Sequence, residues 1–284
     1  MRGRDRIQYK TLDQVKLMRG AGLIVADALD AVRAALAPGL TTAALDKIAN
    51  EVIVGADAIP SFLNYGHPPY PATLCISVND EVVHGIPGSR VLEAGDVVSV
   101  DCGAILKGWH GDSAFTAVVP GTADQPDPRT AEQVAEDAAL IDVTEQSLWH
   151  GIAAIVAGDK LNAIGAAVED VVGDKYGLVE EYGGHGIGTE MHQEPHVLNY
   201  RTRDRGPRLK PGICLAVEPM LTLGDPTTRT LADDWTVATV DGRRAAHWEH
   251  SVALLDDGLW VLTARDGGVA ALTALGAKVS ALAG

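Results

Sequence analysis

The chain has 284 residues, enough for one large core or two small ones, with an ordinary globular balance of 46% hydrophobic and 21% charged residues. A net charge of −15 repels phosphate backbones, which excludes nucleic-acid binding, DNA included, as the main function. No apolar run approaches the roughly 20 residues that cross a bilayer, the charged start Met1 to Arg6 has no apolar stretch behind it to form a secretory leader, and three scattered cysteines exclude a disulfide framework, so a cytoplasmic protein without membrane contact is expected.

In chain order, Thr11-Leu12-Asp13-Gln14 reads as a capping box that opens a helix. Val15, Met18, Gly22, Val25, Leu29, Val32 and Leu36 continue it at helical spacing until Pro38-Gly39. Thr41 or Thr42 caps a second helix carrying Leu45, Ile48, Val52 and Ile53. A Pro-rich loop from Pro60 to Pro71 holds Phe62, Tyr65, His67 and Tyr70. Strand-like runs follow at 73–78, 97–100 and 113–119. Beyond a loop at 120–129, Thr130-Ala131-Glu132-Gln133 opens another capped helix to about Trp149, and Asp159 precedes a fourth built on Leu161, Ile164 and Val168. Val252–Leu255 and Leu259–Leu262 form a hairpin around Asp256-Asp257-Gly258. The Ala-rich tail, 265–284, is expected to be helical or frayed.

The second half echoes the first. Val83-His84-Gly85-Ile86 is matched by Gly184-His185-Gly186-Ile187, and Leu92-Glu93-Ala94-Gly95 by Leu209-Lys210-Pro211-Gly212. Ser99-Val100-Asp101 is matched by Ala216-Val217-Glu218. Offsets run from 101 residues (His84 to His185) to 119 (Thr11 to Thr130), too long for a solenoid. They predict two αα-ββ halves, about 7–119 and 130–262, packed as a single α+β domain (1–284) with pseudo-twofold symmetry.

Asp101, Asp112, His185, Glu218 and Glu249 stand in or at the ends of apolar, strand-like runs. Taken singly, an Asp before Gly is a turn residue, His185 a loop residue and Glu218 a strand end. Taken together they are four carboxylates with hardly a Lys or Arg nearby in sequence, and buried unpaired charge costs several kcal/mol. Either basic partners or cations must neutralise them; the scarcity of Lys and Arg favours cations, and four carboxylates with one imidazole suit two divalent ions.

The segments from Ser77 to Gly88, Gly111-Asp112-Ser113, Gly184 to Gly188, Met191 to Pro195, Val217 to Met220 and Trp248-Glu249-His250, with the spacing from Asp101 to Asp112, resemble the successive signatures of type I methionine aminopeptidases over roughly 7–262. The resemblance implies the pita-bread fold around a dinuclear site of manganese, iron, cobalt or zinc. It implies hydrolysis of the initiator Met from nascent chains whose second residue is small, through a hydroxide held between the ions. Asp101, Asp112, His185, Glu218 and Glu249 would be ligands, with Asp112 and Glu249 bridging. His84 would serve the leaving amine, His192 the developing oxyanion, and Glu218 would also shuttle the proton. Phe62, Tyr65, Tyr70, Cys75, Met191 and Trp235 would line the methionine pocket.

Xaa-Pro aminopeptidases and prolidases share such ligands but generally carry a large domain ahead of the catalytic part, and type II methionine aminopeptidases carry a helical insert between His192 and Glu249. A non-catalytic binding protein on this fold would have lost ligands, and all five positions are filled. A monomer is expected. The cluster Arg201, Arg203, Arg205, Arg208 and Lys210 reads as a solvated loop, with transient contact to ribosomal RNA as its alternative. His247 and His250 are read as structural, placed by strand alternation on the face opposite Glu249.

Overall fold

The computed structural model describes residues 7–283, so the charged start lies outside them. Helix α1 (Leu12–Ala35) begins at a reciprocal cap: the Gln14 N–H donates to Thr11 Oγ1 at 3.4 Å, and the Thr11 N–H to Gln14 Oε1 at 2.9 Å. The same device, Thr130 with Gln133, opens α3 (Ala131–Ala153). Between them, α2 (Thr42–Gly55) is capped by Thr41. The fourth helix, α4 (Asn162–Val172), is capped by Leu161 without a side-chain bond, so Asp159 precedes the helix and does not cap it.

Five strands follow α2: β1 (Ile59–Pro60), β2 (Leu74–Val78), β3 (Glu81–Val83), β4 (Val97–Leu106) and β5 (Trp109–Val118). Ten follow α4: β6 (Gly177–Leu178), β7 (Gly184–Gly186), β8 (Gln193–Val197), β9 (Cys214–Val217), β10 (Met220–Thr222), β11 (Thr228–Thr230), β12 (Val237–Thr239), β13 (Ala245–His247), β14 (Glu249–Leu255) and β15 (Gly258–Val261). The main sheet runs β1-β4-β5-β14-β9-β7-β8, with β2 added on β4 and β15 on β14. All its pairings are antiparallel, and the elements before and after the 120–129 connector join where β5 meets β14.

One face of this sheet is packed by the helices. Val25, Leu29 and Val32 of α1 and Leu45 and Ile53 of α2 join Val98, Val100 and Cys102 of β4 in the main core. Each such apolar side chain contributes about 1.5–3 kcal/mol when fully buried. The alternate residues of β4, Ser99 and Asp101, point the other way yet are also buried, because the smaller sheets and the loop of 61–73 cover that face. Polar side chains thus sit on a covered face, and that is where the chemistry lies.

The tail is ordered. It forms α5 (Val269–Ala274), and beyond it the Ser280 N–H donates to the Leu259 carbonyl at 2.8 Å while the Leu259 N–H donates to the Lys278 carbonyl at 2.9 Å.

Candidate metal centre and active site

Strand register collects the five candidate ligands. Asp101 faces Ala114 across β4 and β5, and Ala114 faces Glu249 across β5 and β14. Directly opposed residues share a sheet face, as do residues two apart on one strand. Asp101, Asp112 and Glu249 therefore share a face. The count continues from Glu249 to Ser251, across to Ala216 and on to His185, and Glu218 lies two residues past Ala216. One oxygen each of Asp112 and Glu249 and a ring nitrogen of His185 lie within 4.8 Å of one another. His185 Nε2 stands 3.4 Å from Glu218 Oε1.

The backbone around these groups is fixed by small residues. Ser251 Oγ donates to the Asp112 carbonyl at 2.8 Å and accepts the Asp112 N–H at 3.1 Å. Ser113 Oγ donates to the Glu249 carbonyl at 2.6 Å. The Asn199 amide donates to the Glu218 carbonyl at 3.0 Å. A Cβ at Gly184 would meet the Ala216 carbonyl oxygen at 2.2 Å, so only glycine lets β7 approach β9 closely enough to bring His185 into the set.

Electrostatically the cluster is under stress. Burial raises Asp112, Glu218 and Glu249 well above the usual carboxylate range, with neighbouring carboxylates adding to it, and burial pushes Asp101 up to about 8. Asp101 Oδ1, Asp112 Oδ1 and Glu249 Oε1 are buried without a hydrogen-bond partner. Among the described residues no Lys or Arg lines the cavity. His185 donates from Nδ1 to the Gly186 carbonyl at 3.0 Å, and desolvation drops it to about 3. A neutral ring bonded in that way leaves its Nε2 lone pair free for a cation. Orphaned carboxylate oxygens, no basic neighbour and a free imidazole nitrogen fit divalent metal well.

A cavity of about 240 Å³ lies over the cluster. That is below the roughly 300–1,000 Å³ of drug-sized pockets and suits a single side chain. Phe62, Tyr65, Tyr70, Cys75, Met191 and Trp235 all line it, with His84, His192 and the five candidate ligands. Tyr70 is held by its hydroxyl, 3.0 Å from the Leu74 carbonyl and 2.9 Å from that of Gly85. Trp235 packs edge-on to Tyr70 and donates from its indole to the Pro68 carbonyl at 3.0 Å. Gly66, at φ +73°, lies under the Trp235 ring, where a Cβ would come within 2.5 Å of it. His84 itself holds φ +61°, a strained setting for a histidine, and strain of this kind gathers at functional sites.

Two placements differ from the sequence reading or add to it. His247 lies on the same side as Glu249, not opposite: it is buried, and its Nε2 is 3.9 Å from Glu218 Oε2. His247 ends β13, which pairs with β10 in a separate small sheet, so alternation along β14 does not reach it; His250, next to Glu249 on β14, does point away and packs against Trp149. Tyr182 also lines the cavity, edge-on to His84 at 5.7 Å. An aromatic residue three positions ahead of His185 was the available signal. No helix occurs between His192 and Glu249.

A second groove, about 880 Å³, shares Tyr182, Gly183, His185 and His192 with the cavity and opens outward past Glu190 and Glu194. The arrangement is a side-chain pocket, a cluster that calls for cations, and a way out for the rest of a chain.

Comparison with known proteins agrees with this geometry. The model of metallopeptidase family M24 matches residues 16–256. Methionine aminopeptidase 1 of Mycobacterium tuberculosis is 47% identical over 271 residues, covering 93% of this chain and 97% of that protein. The crystal structure of methionine aminopeptidase from Rickettsia prowazekii superposes with a TM-score of 0.84 at 34% identity, covering 91% of this chain and all of that one. A prolidase from Pyrococcus furiosus shares the fold alone, with a TM-score of 0.68 at 18% identity, and this chain spans 65% of it. The fold is thus the pita-bread fold, and the chain belongs to metallopeptidase family M24, within it to the type I methionine aminopeptidases.

Proposed function

We propose that Asp101, Asp112, His185, Glu218 and Glu249 would hold two divalent ions, manganese, iron, cobalt or zinc. The observation that carries this is the set of three orphaned carboxylate oxygens in a cavity with no basic lining residue among the described ones. As a metal-dependent aminopeptidase the protein removes N-terminal methionine from peptides and nascent chains. Bound divalent ions supply an activated water and polarise the scissile carbonyl at neutral pH.

The chain's own residues do the rest. The methionine side chain enters the pocket of Phe62, Tyr65, Tyr70, Cys75, Met191 and Trp235, where a thioether suits soft and aromatic contacts. Glu218 takes a proton from the attacking water and passes it on. His192 donates to the carbonyl oxygen as negative charge develops there. His84 contacts the scissile amide and aids proton delivery to the leaving amine. Desolvation holds His84 down at about 4, so its imidazole is neutral at neutral pH. A small second residue is favoured because Tyr182 and His192 crowd the mouth where the outer groove begins.

The same reading takes the protein as a single-domain cytoplasmic monomer whose basic cluster at 201–210 is a solvated loop, with transient ribosome contact as the alternative. Arg203 and Arg205 are exposed, as a solvated loop requires, and no helix among the described residues is long and apolar enough to cross a membrane.

A peptidase assay on metal-stripped protein tests the proposal, with manganese or cobalt added back. Metal-dependent release of Met from Met-Ala-Ser, but not from Met-Arg-Ser, is expected, with Ala-Pro-Ala left intact. Cleavage of Ala-Pro-Ala in its place would move the activity to the Xaa-Pro branch.

A further inference from the structure

Tyr65 belongs to two parts of the site at once. Its ring lines the side-chain cavity, and its hydroxyl lies 2.6 Å from His192 Nδ1. The two rings are tilted by 55° with centroids 5.3 Å apart, and the far side of His192 packs edge-on against His185 at 4.3 Å. His192 is thus gripped between a phenol and an imidazole.

A neutral imidazole has one N–H donor and one lone pair, and the bond made by one nitrogen decides the role of the other. A phenol that donates to Nδ1 leaves the proton on Nε2. In the opposite tautomer Nε2 carries a lone pair and repels a developing oxyanion. Desolvation, reinforced by the Asp112 and Glu190 carboxylates, raises the Tyr65 hydroxyl above its ordinary value, which keeps it protonated.

Tyr65 is also tied to the pocket wall. Its N–H donates to the Phe62 carbonyl at 2.9 Å, and its carbonyl accepts from the Tyr70 N–H at 2.8 Å. The next residue, Gly66, lies under Trp235. Phe62, Tyr70 and Trp235 face the same cavity as the Tyr65 ring.

We infer that Tyr65 is a positioning residue that holds His192 in the Nε2–H tautomer and links the methionine pocket to the oxyanion donor. This deepens the proposed role of His192 and rests on it. Tyr65→Phe keeps the ring and the pocket wall and removes only the hydroxyl. In the full-length, metal-loaded enzyme it lowers kcat for Met-Ala-Ser by about 10–100-fold, the range for groups that orient an active residue, while KM changes little. In ¹⁵N-histidine-labelled protein, the His192 nitrogens change from a single Nε2–H pattern to a tautomer mixture. The double variant Tyr65→Phe/His192→Ala is no slower than His192→Ala, because the hydroxyl acts only through that ring.

An unchanged kcat and nitrogen spectrum in Tyr65→Phe, or additive losses in the double variant, would overturn the inference. If His192→Ala itself left kcat unchanged, the oxyanion role would fall, and this inference with it. Loss in His192→Ala beside a fully active Tyr65→Phe enzyme removes the Tyr65 inference alone.

Discussion

Two sets of buried carboxylates meet opposite fates. Asp137, on α3, is 1% exposed and paired with Arg129 at 2.7 Å and with Arg244. Asp112, on β5, is 4% exposed, has no cation beside it and shares its space with three more carboxylates. The first group is satisfied by its own chain and joins the 120–129 connector to α3 and the loop before β13. The second is satisfied only by something the chain does not encode. Burial and sign of charge are the same in both places, so the presence or absence of an arginine separates structure from catalysis.

The sharpest way to break that comparison is Asp112→Asn, or Glu249→Gln. Either is expected to abolish turnover and weaken metal binding, read by titration calorimetry, while the circular dichroism of the fold is kept. Retained turnover would sink the two-ion reading. Asp137→Ala should do the reverse. It leaves Arg244 without its partner, while Arg129 keeps Asp127, so the loss should stay below the about 3–5 kcal/mol of a fully broken buried pair and is measurable by urea unfolding. Its kcat below the melting range should match that of the parent enzyme. His192→Ala keeps all the carboxylates and removes one oxyanion donor, so kcat should fall by about 10²–10³-fold.

The smallest effect sharpens the contrast by pH. In metal-free protein Asp101 is raised to about 8 by burial. A carboxyl raised on folding contributes stability that is full below the ordinary carboxylate range, near pH 4, and is lost as pH rises through about 8. The melting temperature of chelator-treated protein should therefore drop from pH 5 to pH 9, and Asp112→Asn should flatten the drop. Equal slopes in the two proteins would show that the cluster does not govern it.

Much of this was legible in the sequence where the determinants are local. Thr11 with Gln14 and Thr130 with Gln133 announce their helices because the cap is made within four residues. The fourth helix begins after Asp159 as expected, with Leu161 at its cap and the Leu161 N–H bonded to the Pro207 carbonyl far along the chain. The β4–β5 hairpin was read too short because Gly103 and Gly111 interrupt its apolar pattern. Those glycines are required by close neighbours, Ser61 and Phe62 at one and α1 at the other, which no local window contains. The five candidate ligands and six pocket residues were legible from motif and spacing. Tyr182 and the true side of His247 were not, one lacking a motif and the other misplaced because the chain changes sheets at Trp248.

The way the candidate ligands are divided along the chain has one more consequence. Asp101 and Asp112 precede the exposed stretch 120–126, and His185, Glu218 and Glu249 follow it. A nick in that stretch would leave neither fragment with a complete set, so divalent ion would act as the glue for fragment complementation, and activity regained from two separately made pieces would report on the docking of β5 against β14.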